Sequence, residues 1–288
     1  MSKHILFLGI GYTAQRLAAK LLEDGWQVSG TTRNVAEKHL DPRINLFTLH
    51  RDQQLVGDAA ISDVTHIVHS IPPAEGGDVV LHQDADLGAL TPALQWFGYL
   101  STTGVYGDRK GGEVTENAAP APQSARAERR LTAEREWRQY FQNTAVCFQI
   151  FRLAGIYGPG RNVLAQLQAG QARIIDRPGQ VFSRIHVDDI VAAVQASIAA
   201  PKDGGIYNLA DDLPSASGDV IRYGAHLLGI EPPAAIAFED ADLSPMAQSF
   251  YVLRRRVGSR VIKPELGLDL LYPDYETGLA SILAAEQG

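Results

Sequence analysis

The feature that most constrains the fold of this chain is a glycine turn close to its start. A short apolar run at residues 5–8 (ILFL) leads into residues 9–14 (GIGYTA), and apolar side chains then recur at helical spacing. The apolar run is too short for a helix and ends at glycine, so it predicts a buried strand, whereas the spacing that follows predicts a helix. A strand, a Gly-x-Gly-x-x-Ala turn and a helix in this order are typical of dinucleotide-binding proteins.

Each residue of this turn has a predicted role at a dinucleotide. Gly9 permits the tight turn, Gly11 lets the backbone approach a pyrophosphate, and Ala14 keeps the helix close to the sheet. The pyrophosphate is expected on the N–H groups at the start of the helix, so the predicted cofactor site also includes Tyr12 and Thr13. The alternative is an ordinary strand-to-helix turn of an α/β protein.

The end of the second predicted strand, residues 26–32, indicates which cofactor is bound. An NAD site usually has an acid there for the ribose 2′-hydroxyl, but this chain has Thr31, Thr32 and Arg33. Arginine and threonine hydroxyls suit a 2′-phosphate, which a carboxylate would repel. The sequence therefore predicts NADP, with NAD as the alternative cofactor. A solvated loop arginine is the other interpretation of Arg33.

Strand and helix patterns continue to alternate over the first half of the chain. Predicted strands cover residues 44–49, 64–71, 96–100 and 146–153, and predicted helices cover residues 85–94 and 126–141; a further candidate strand, 206–209, lies in the later part of the chain. The fourth strand brings Ser70 to its carboxyl end, where ligands of open α/β sheets bind; His69 beside it is predicted to be structural. The fold class is therefore α/β, a Rossmann-type doubly wound parallel sheet.

Beyond residue 157 the alternation is less regular. Short helices are expected at residues 163–167, 218–228 and 275–285, an extended segment at 181–187, and a helix capped by Asp188 that runs to residue 198. We expect residues 1–157 to form the dinucleotide-binding domain, completed by about residues 182–211. The remainder of 158–288 is expected to form mainly a smaller, discontinuous subdomain that caps the substrate.

Composition excludes several classes of function. A formal net charge of −7 argues against general affinity for nucleic acid or an anionic membrane. The single cysteine, Cys147, rules out an intrachain disulfide and suits a reducing compartment. No signal peptide, membrane-length apolar run or metal-binding pattern is visible, so the expected location is the cytoplasm and the expected partner is a small-molecule substrate. The sequence makes no prediction of the oligomeric state.

Further motifs, taken in order, resemble the extended branch of the short-chain dehydrogenase/reductase superfamily. These motifs come after the glycine turn in the chain. They are residues 101–107 (STTGVYG), Arg152 with residues 157–160 (YGPG), residues 185–189 (IHVDD), residues 207–209 (YNL) and residues 265–268 (ELGL). The resemblance spans nearly the whole chain. It implies a Rossmann domain with a smaller substrate domain. It also implies NAD(P)-dependent epimerase, dehydratase or reductase chemistry on a nucleotide sugar or a related small molecule.

The resemblance also locates the family's catalytic residues, and two of them are replaced. Thr102 matches the hydroxyl position, while residues 130–134 (RLTAE) align with the family's Lys-x-x-Ala-Glu, so that Arg130 stands at the lysine and Arg126 at the tyrosine. Arginine stays protonated, so Arg126 is a poor acid or base, although Arg130 could hold the nicotinamide ribose as the lysine does.

Other residues are candidates for contact with substrate. Tyr106 and Tyr157 are possible substitute acids, but packing or substrate contact is favoured for each. Arg184 stands near the position where relatives contact a substrate diphosphate, and Arg254 is a second candidate; an exposed structural arginine is the alternative for both. Gly155 replaces an asparagine common in this branch.

Two functional hypotheses follow. The first is an enzyme in which Thr102 hydrogen-bonds the reacting oxygen and another group moves the proton. The second is a non-catalytic protein that binds NADP as a sensor or scaffold. The missing tyrosine and lysine favour the second hypothesis, whereas the hydroxyl-bearing strand and the arginines favour the first, which we prefer.

Overall fold

A computed structural model describes residues 3–49, 61–82 and 86–287 of the chain, and these divide into two units. The first unit lies within Met1–Thr102, Ala125–Arg152 and Val194–Tyr207. The second lies within Thr103–Ser124, Leu153–Ala193 and Asn208–Gly288. Residues 103–124 and 153–157 thus belong to the second unit, although the sequence places them in the dinucleotide-binding domain. That the two units bind cofactor and substrate respectively remains a prediction.

The first unit alternates strands with helices. Its elements are β1 (His4–Leu8), α1 (Tyr12–Glu23), β2 (Gln27–Thr32), β3 (Ile44–Thr48), β4 (His66–His69), α2 (Leu87–Leu90), β5 (Trp96–Thr102) and α3 (Ala125–Phe141). Three further elements, β7 (Cys147–Leu153), α5 (Val187–Ala199) and β11 (Ile206–Leu209), extend across the division between units. β1 is buried along its whole length, as expected for a strand covered on both faces.

The strands form one seven-stranded sheet in the order β11-β7-β5-β4-β1-β2-β3. β1 pairs in parallel with β2 on one side and with β4 on the other, β2 pairs in parallel with β3, and β4 with β5. Helices flank this sheet, so the α/β Rossmann-type fold is confirmed. The strand order reverses between β1 and β4, and this is where ligands bind in open α/β sheets. The glycine turn leaves β1 at this position.

Aromatic packing fixes α3 on the sheet of the first unit. Trp137 and Phe141 lie in α3, and their ring centroids are 4.4 and 4.9 Å from that of Phe97 in β5. Burial of large apolar side chains of this kind contributes about 1.5–3 kcal/mol each. The C-terminal half of α3 is therefore packed against the start of β5.

The second unit consists of short strands and helices. Its elements are β6 (Glu113–Val114), β8 (Gly155–Tyr157), α4 (Val163–Gln168), β9 (Ile174–Asp176), β10 (Arg184–His186), α6 (Ser217–Leu228), β12 (Ala235–Ala237), α7 (Pro245–Val252), β13 (Arg256–Val257), α8 (Ile262–Leu266) and α9 (Tyr275–Gln287). β8 and β10 pair in parallel and place Tyr157 opposite His186. α4 and α6 approach closely at Gly224, where an added Cβ would lie 2.9 Å from Val163 Cγ1.

Most of the predicted elements are present, and two of them differ from the sequence patterns. The short helix expected at 85–94 covers only Leu87–Leu90, and residue 85 lies outside the described residues. Asp188 does not cap α5, because the helix begins one residue earlier, at Val187. Among the residues that the structure describes, no helix combines the length and the apolar character that a membrane span needs. No cluster of three or more His, Cys, Asp or Glu side chains suited to a metal ion occurs among them either.

Candidate functional site

The glycine turn after β1 has the geometry of a phosphate-binding turn. Gly9 has φ +85°, and a Cβ there would lie 2.8 Å from Ile71 Cγ1 and 3.1 Å from Ser70 Oγ, so only glycine fits. A Cβ at Gly11 would meet no atom within 4 Å. Gly11 is the N-cap of α1, and its position has no side-chain capping hydrogen bond. The turn therefore combines open space with a helix N-terminus, which suits a pyrophosphate.

Thr31 and Ser70, which the sequence places at the cofactor, both hydrogen-bond the backbone of this turn. Thr31 is fully buried, and its Oγ1 accepts a hydrogen bond of 2.8 Å from the Gly9 N–H. The Ser70 hydroxyl donates to the Gly9 carbonyl oxygen at 2.5 Å. Each hydroxyl is thus engaged with the backbone at the end of β1. We assign both residues to the shape of the turn, and direct contact with a cofactor stays a prediction.

A polar groove of about 810 Å³ lies beside the end of β2. It is lined by two cations, one carboxylate and three uncharged polar side chains, namely Arg33, Lys38, Glu37, Thr32, Asn34 and Thr48. Arg33 is exposed and Lys38 is half-buried. Thr32, at the end of the strand, lines the groove, whereas Thr31 does not. Sequence reasoning did not identify Lys38, because it lies in a loop with no periodic pattern.

The two arginines that the resemblance aligns with the family's tyrosine and lysine differ in environment. Arg126, in the first turn of α3, is exposed. Arg130, one turn later, is only 9% exposed, and its Nη1 donates to the Leu100 carbonyl oxygen at 2.6 Å. Its guanidinium also lies over the ring of Tyr99, 5.6 Å from the centroid. Arg130 thus joins α3 to β5, and a role at the nicotinamide ribose remains a prediction.

Thr102 is the last residue of β5 and is half-buried. Beside it, Ser101 donates to Glu134 Oε1 at 2.5 Å. Glu134 also accepts two hydrogen bonds from Arg152, at 3.1 Å from Nε and 2.7 Å from Nη2. All three side chains of this group are buried. The buried ion pair therefore fixes the end of β5, and Thr102 with it, relative to α3 and β7.

A second buried pair lies at the end of β4. His69 Nε2 is 2.8 Å from Asp78 Oδ2, and both side chains are completely buried. Burial alone would raise the pKa of Asp78, but His69 and several hydrogen bonds lower it to about 2. The pair holds the loop after β4 against the sheet. This agrees with the structural role that the sequence predicts for His69.

The predicted substrate residues belong to the second unit, where their environments differ. Tyr106 is completely buried, and its hydroxyl donates to Asn208 Oδ1 at 2.7 Å, so we assign it to packing. Arg254 lies in a loop, and its main-chain N–H donates to Asp108 Oδ1 at 2.7 Å. Tyr157 donates to the Asp274 carbonyl oxygen at 3.2 Å, and burial raises its pKa. Contact of any of these side chains, or of Arg184, with a substrate stays a prediction.

Sequence reasoning missed Asp211, which lies beside Arg184. Its carboxyl is 2% exposed, and burial raises its pKa to about 7 despite the opposing charge of Arg184. A carboxyl poised near neutral pH is characteristic of functional sites. The sequence offers no signal for it, because Asp211 and Asp212 read as an ordinary polar turn after the last strand.

A family model described as the NAD dependent epimerase/dehydratase family matches residues 5–210 of the chain. This range includes the glycine turn, the end of β5, α3 and β10. The chain belongs to this family. The resemblance read from the motifs is thus confirmed. The replacement of the family's tyrosine and lysine by Arg126 and Arg130 stays a prediction.

Three known proteins show how far the similarity extends. Protein YeeZ of Escherichia coli K12 is 29% identical over 283 residues, which cover 94% of this chain and 97% of that protein. A solved structure of a functionally unknown conserved protein from Silicibacter pomeroyi is 40% identical, covers 100% of both chains and gives a TM-score of 0.89. dTDP-glucose 4,6-dehydratase from Bacillus anthracis, solved in complex with NAD, is 18% identical with a TM-score of 0.80, covering 99% of this chain and 97% of that chain. At 18% identity the last comparison shows a shared fold.

Proposed function

We propose that this family member binds a nicotinamide dinucleotide in its first unit and acts on a nucleotide sugar or a related small molecule as an epimerase, dehydratase or oxidoreductase. The observation that carries the proposal is the glycine turn, with open space at Gly11 and no side-chain cap on α1. Gly9, Gly11, Tyr12, Thr13 and Ala14 would hold the cofactor's pyrophosphate. The bound nicotinamide would supply hydride transfer. The B. anthracis dehydratase, which shares the fold and binds NAD, supports this assignment.

We further propose NADP as the preferred cofactor. Arg33 and Lys38 give the groove at the end of β2 two cations, and the hydroxyl of Thr32 adds a donor. Glu37 is the one carboxylate in this lining, and it lies in the loop rather than at the strand end where an NAD-binding acid stands. A 2′-phosphate would therefore gain a charge-assisted contact with Arg33.

Fluorescence titration with NADPH and NADH tests the cofactor proposal. The wild-type protein should bind NADPH more tightly, and Arg33→Ala should reduce that preference on the order of 10- to 100-fold, the range for a hydrogen bond to a charged group. Arg43→Ala is the matched control, because Arg43 is an exposed arginine paired with Asp41 in the same unit. Equal affinities in the wild type, or an unchanged preference in Arg33→Ala, would refute the NADP assignment.

In the reaction itself, Thr102 would hydrogen-bond the reacting oxygen of the substrate. Arg126 cannot exchange a proton near neutral pH, so the acid or base must be another group. Tyr157 and Arg184 in the second unit would contact the substrate. Removing the Thr102 hydroxyl should therefore affect turnover rather than cofactor affinity.

A second function, an NADP-binding sensor or scaffold without catalysis, is favoured by the environment of Arg130. Its guanidinium is engaged with the Leu100 carbonyl and the Tyr99 ring. Screening the NADPH-bound protein against sugar nucleotides and carbonyl compounds separates the two functions. Turnover with any of them supports the enzyme, whereas confirmed NADPH binding with no turnover across the screen supports the sensor.

A further inference from the structure

The helix α7 of the second unit presents apolar side chains to solvent. None of its residues is buried. Met246, Phe250 and Val252 are 60%, 51% and 56% exposed, and they make up half of the large apolar side chains that are exposed in the described part of the chain. Met246 and Phe250 stand one helical turn apart, so they lie on the same face of α7. Exposed apolar side chains that are grouped in this way indicate an interaction surface.

The other side of α7 attaches the helix to its unit. The ring centroid of Tyr251 lies 5.2 Å from that of Phe182 and 5.5 Å from that of Phe238. Arg177 Nη1 donates to the Tyr251 carbonyl oxygen, and the same guanidinium lies over the Phe238 ring, 4.5 Å from its centroid. The exposed face therefore belongs to a helix whose position is set by contacts on its opposite side.

Charges of opposite sign flank α7 along the chain. An acidic segment, residues 239–242 (EDAD), precedes the helix, and an arginine run, residues 254–256 (RRR), follows it. Asp240 and Arg256 are both exposed, and they stand equally far along the chain from Gln248 in the middle of the helix. Met246 and Phe250 are also placed symmetrically about Gln248. The order of acid, apolar pair and base is therefore complementary to itself when its direction is reversed.

We propose that α7 is the contact surface of a symmetric dimer, in which it packs antiparallel against α7 of a second copy of this chain. A two-fold axis beside Gln248 brings Met246 of each copy against Phe250 of the other, because a two-fold contact is self-complementary. The same axis brings Asp240 of each copy towards Arg256 of the other, so opposite charges meet at both ends. A foreign partner with one sign of charge would match only one end, and the charges therefore favour a second copy.

The small size of this surface predicts a weak dimer that does not grow further. Two or three apolar side chains form a patch smaller than the roughly 800 Å² that each partner of a stable complex buries. We therefore expect a dissociation constant on the order of 10–100 μM. A two-fold contact uses the same patch on both copies, so assembly stops at two chains. The dimer is independent of the proposed cofactor and substrate.

Sedimentation equilibrium of the full chain between about 1 and about 500 μM, a range that brackets this constant, tests for the dimer. The wild-type protein should change from monomer to dimer as its concentration rises. Phe250→Asp places a charge in the apolar centre and should weaken the dimer by about 10-fold or more. Ile230→Asp is the matched control, because Ile230 is an apolar side chain of the same unit that is 45% exposed outside α7. This control should dimerise as the wild type does.

Two charge reversals test the antiparallel arrangement. Asp240→Arg alone and Arg256→Glu alone each place like charges opposite one another, and each should weaken the dimer by about 10-fold or more. An equimolar mixture of these two variants should dimerise with an affinity close to that of the wild type, because both pairs in the mixed dimer again have opposite charges. Recovery on mixing also shows that both variants are folded.

Several results would overturn the dimer. They are a wild-type protein that stays monomeric over the whole range, assembly beyond two chains, a Phe250→Asp protein that dimerises as tightly as the wild type, and a mixture of the charge-reversed variants that does not recover. The wild-type concentration series decides the matter even if a variant folds poorly. The proposed function is measured separately by NADPH titration, and a wild-type protein that fails to bind NADPH would refute that function and leave the dimer standing.

Discussion

At the scale of single residues, Gly9 and Gly11 of the turn are glycine for different reasons. Gly9 is required by the backbone, because its φ of +85° and its distance of 2.8 Å to Ile71 exclude a side chain. Gly11 has φ −89°, which any residue can adopt, and open space around it. Folding therefore requires glycine at position 9, whereas we expect glycine at position 11 to be required only for cofactor binding.

Alanine substitutions at these glycines should separate folding from binding. Gly9→Ala should lower the free energy of unfolding by roughly 1–3 kcal/mol, through strain at positive φ and contact with Ile71. Gly11→Ala should leave it within about 0.5 kcal/mol, as for a substitution into open space, yet weaken NADPH binding because the new methyl group occupies the place of the pyrophosphate. Urea unfolding and fluorescence titration measure the two quantities. A Gly11→Ala protein that binds NADPH normally would contradict the role assigned to this position.

At the scale of elements, sequence patterns predict the sheet well because its strands are buried apolar runs that end at turn residues. β11 was predicted to the residue at 206–209, and α3 to within one residue of its start. The two-residue strands β6 and β13 were missed, because they exist only through pairing with each other. Thr31 and Thr32 could have been told apart, since side chains alternate along a strand and only one of two neighbours can face the groove.

The environments of buried charges could not be predicted in the same way. Nothing in the sequence around Glu134 indicates that this carboxylate is buried with Arg152. Asp211 became notable only when its burial and its neighbour Arg184 were known. Both outcomes depend on contacts between residues far apart in the sequence, and no local pattern records them.

The ion pair between α3 and β7 should contribute strongly to stability. Glu134→Gln keeps the shape of the side chain but leaves the Arg152 charge buried and unpaired, so the free energy of unfolding should fall by roughly 3–5 kcal/mol. Glu128→Gln, on an exposed position of the same helix, is the control and should change it by less than about 0.5 kcal/mol. Adding Arg152→Met to Glu134→Gln should recover part of the loss. Urea denaturation of the four proteins measures these values, and a loss in Glu134→Gln no larger than in the control would contradict the account.

At the scale of the whole molecule, buried acids in the two units give opposite dependences of stability on pH. In the first unit, the pKa of Asp78 is lowered to about 2, so its contribution is present above pH 4 and is lost as the pH falls towards 2. In the second unit, burial raises the pKa of Asp189 to about 6 and that of Asp211 to about 7. The folded state then holds these protons more tightly than the unfolded chain. Stability from these two acids is therefore present below about pH 4 and is lost as the pH rises to 7.

Asp211→Asn should remove most of the loss in the free energy of unfolding that occurs as the pH rises towards 7. An uncharged amide has no ionisation to suppress, so the variant should gain stability relative to the wild type as the pH rises from 4 to 7, by roughly 2–4 kcal/mol at about 1.4 kcal/mol per pKa unit. Asp212→Asn, at the exposed neighbouring position, should follow the wild-type curve. Urea unfolding of the three proteins at intervals between pH 4 and 8 gives the comparison. A constant difference between Asp211→Asn and the wild type over this range would mean that Asp211 ionises at its ordinary pKa.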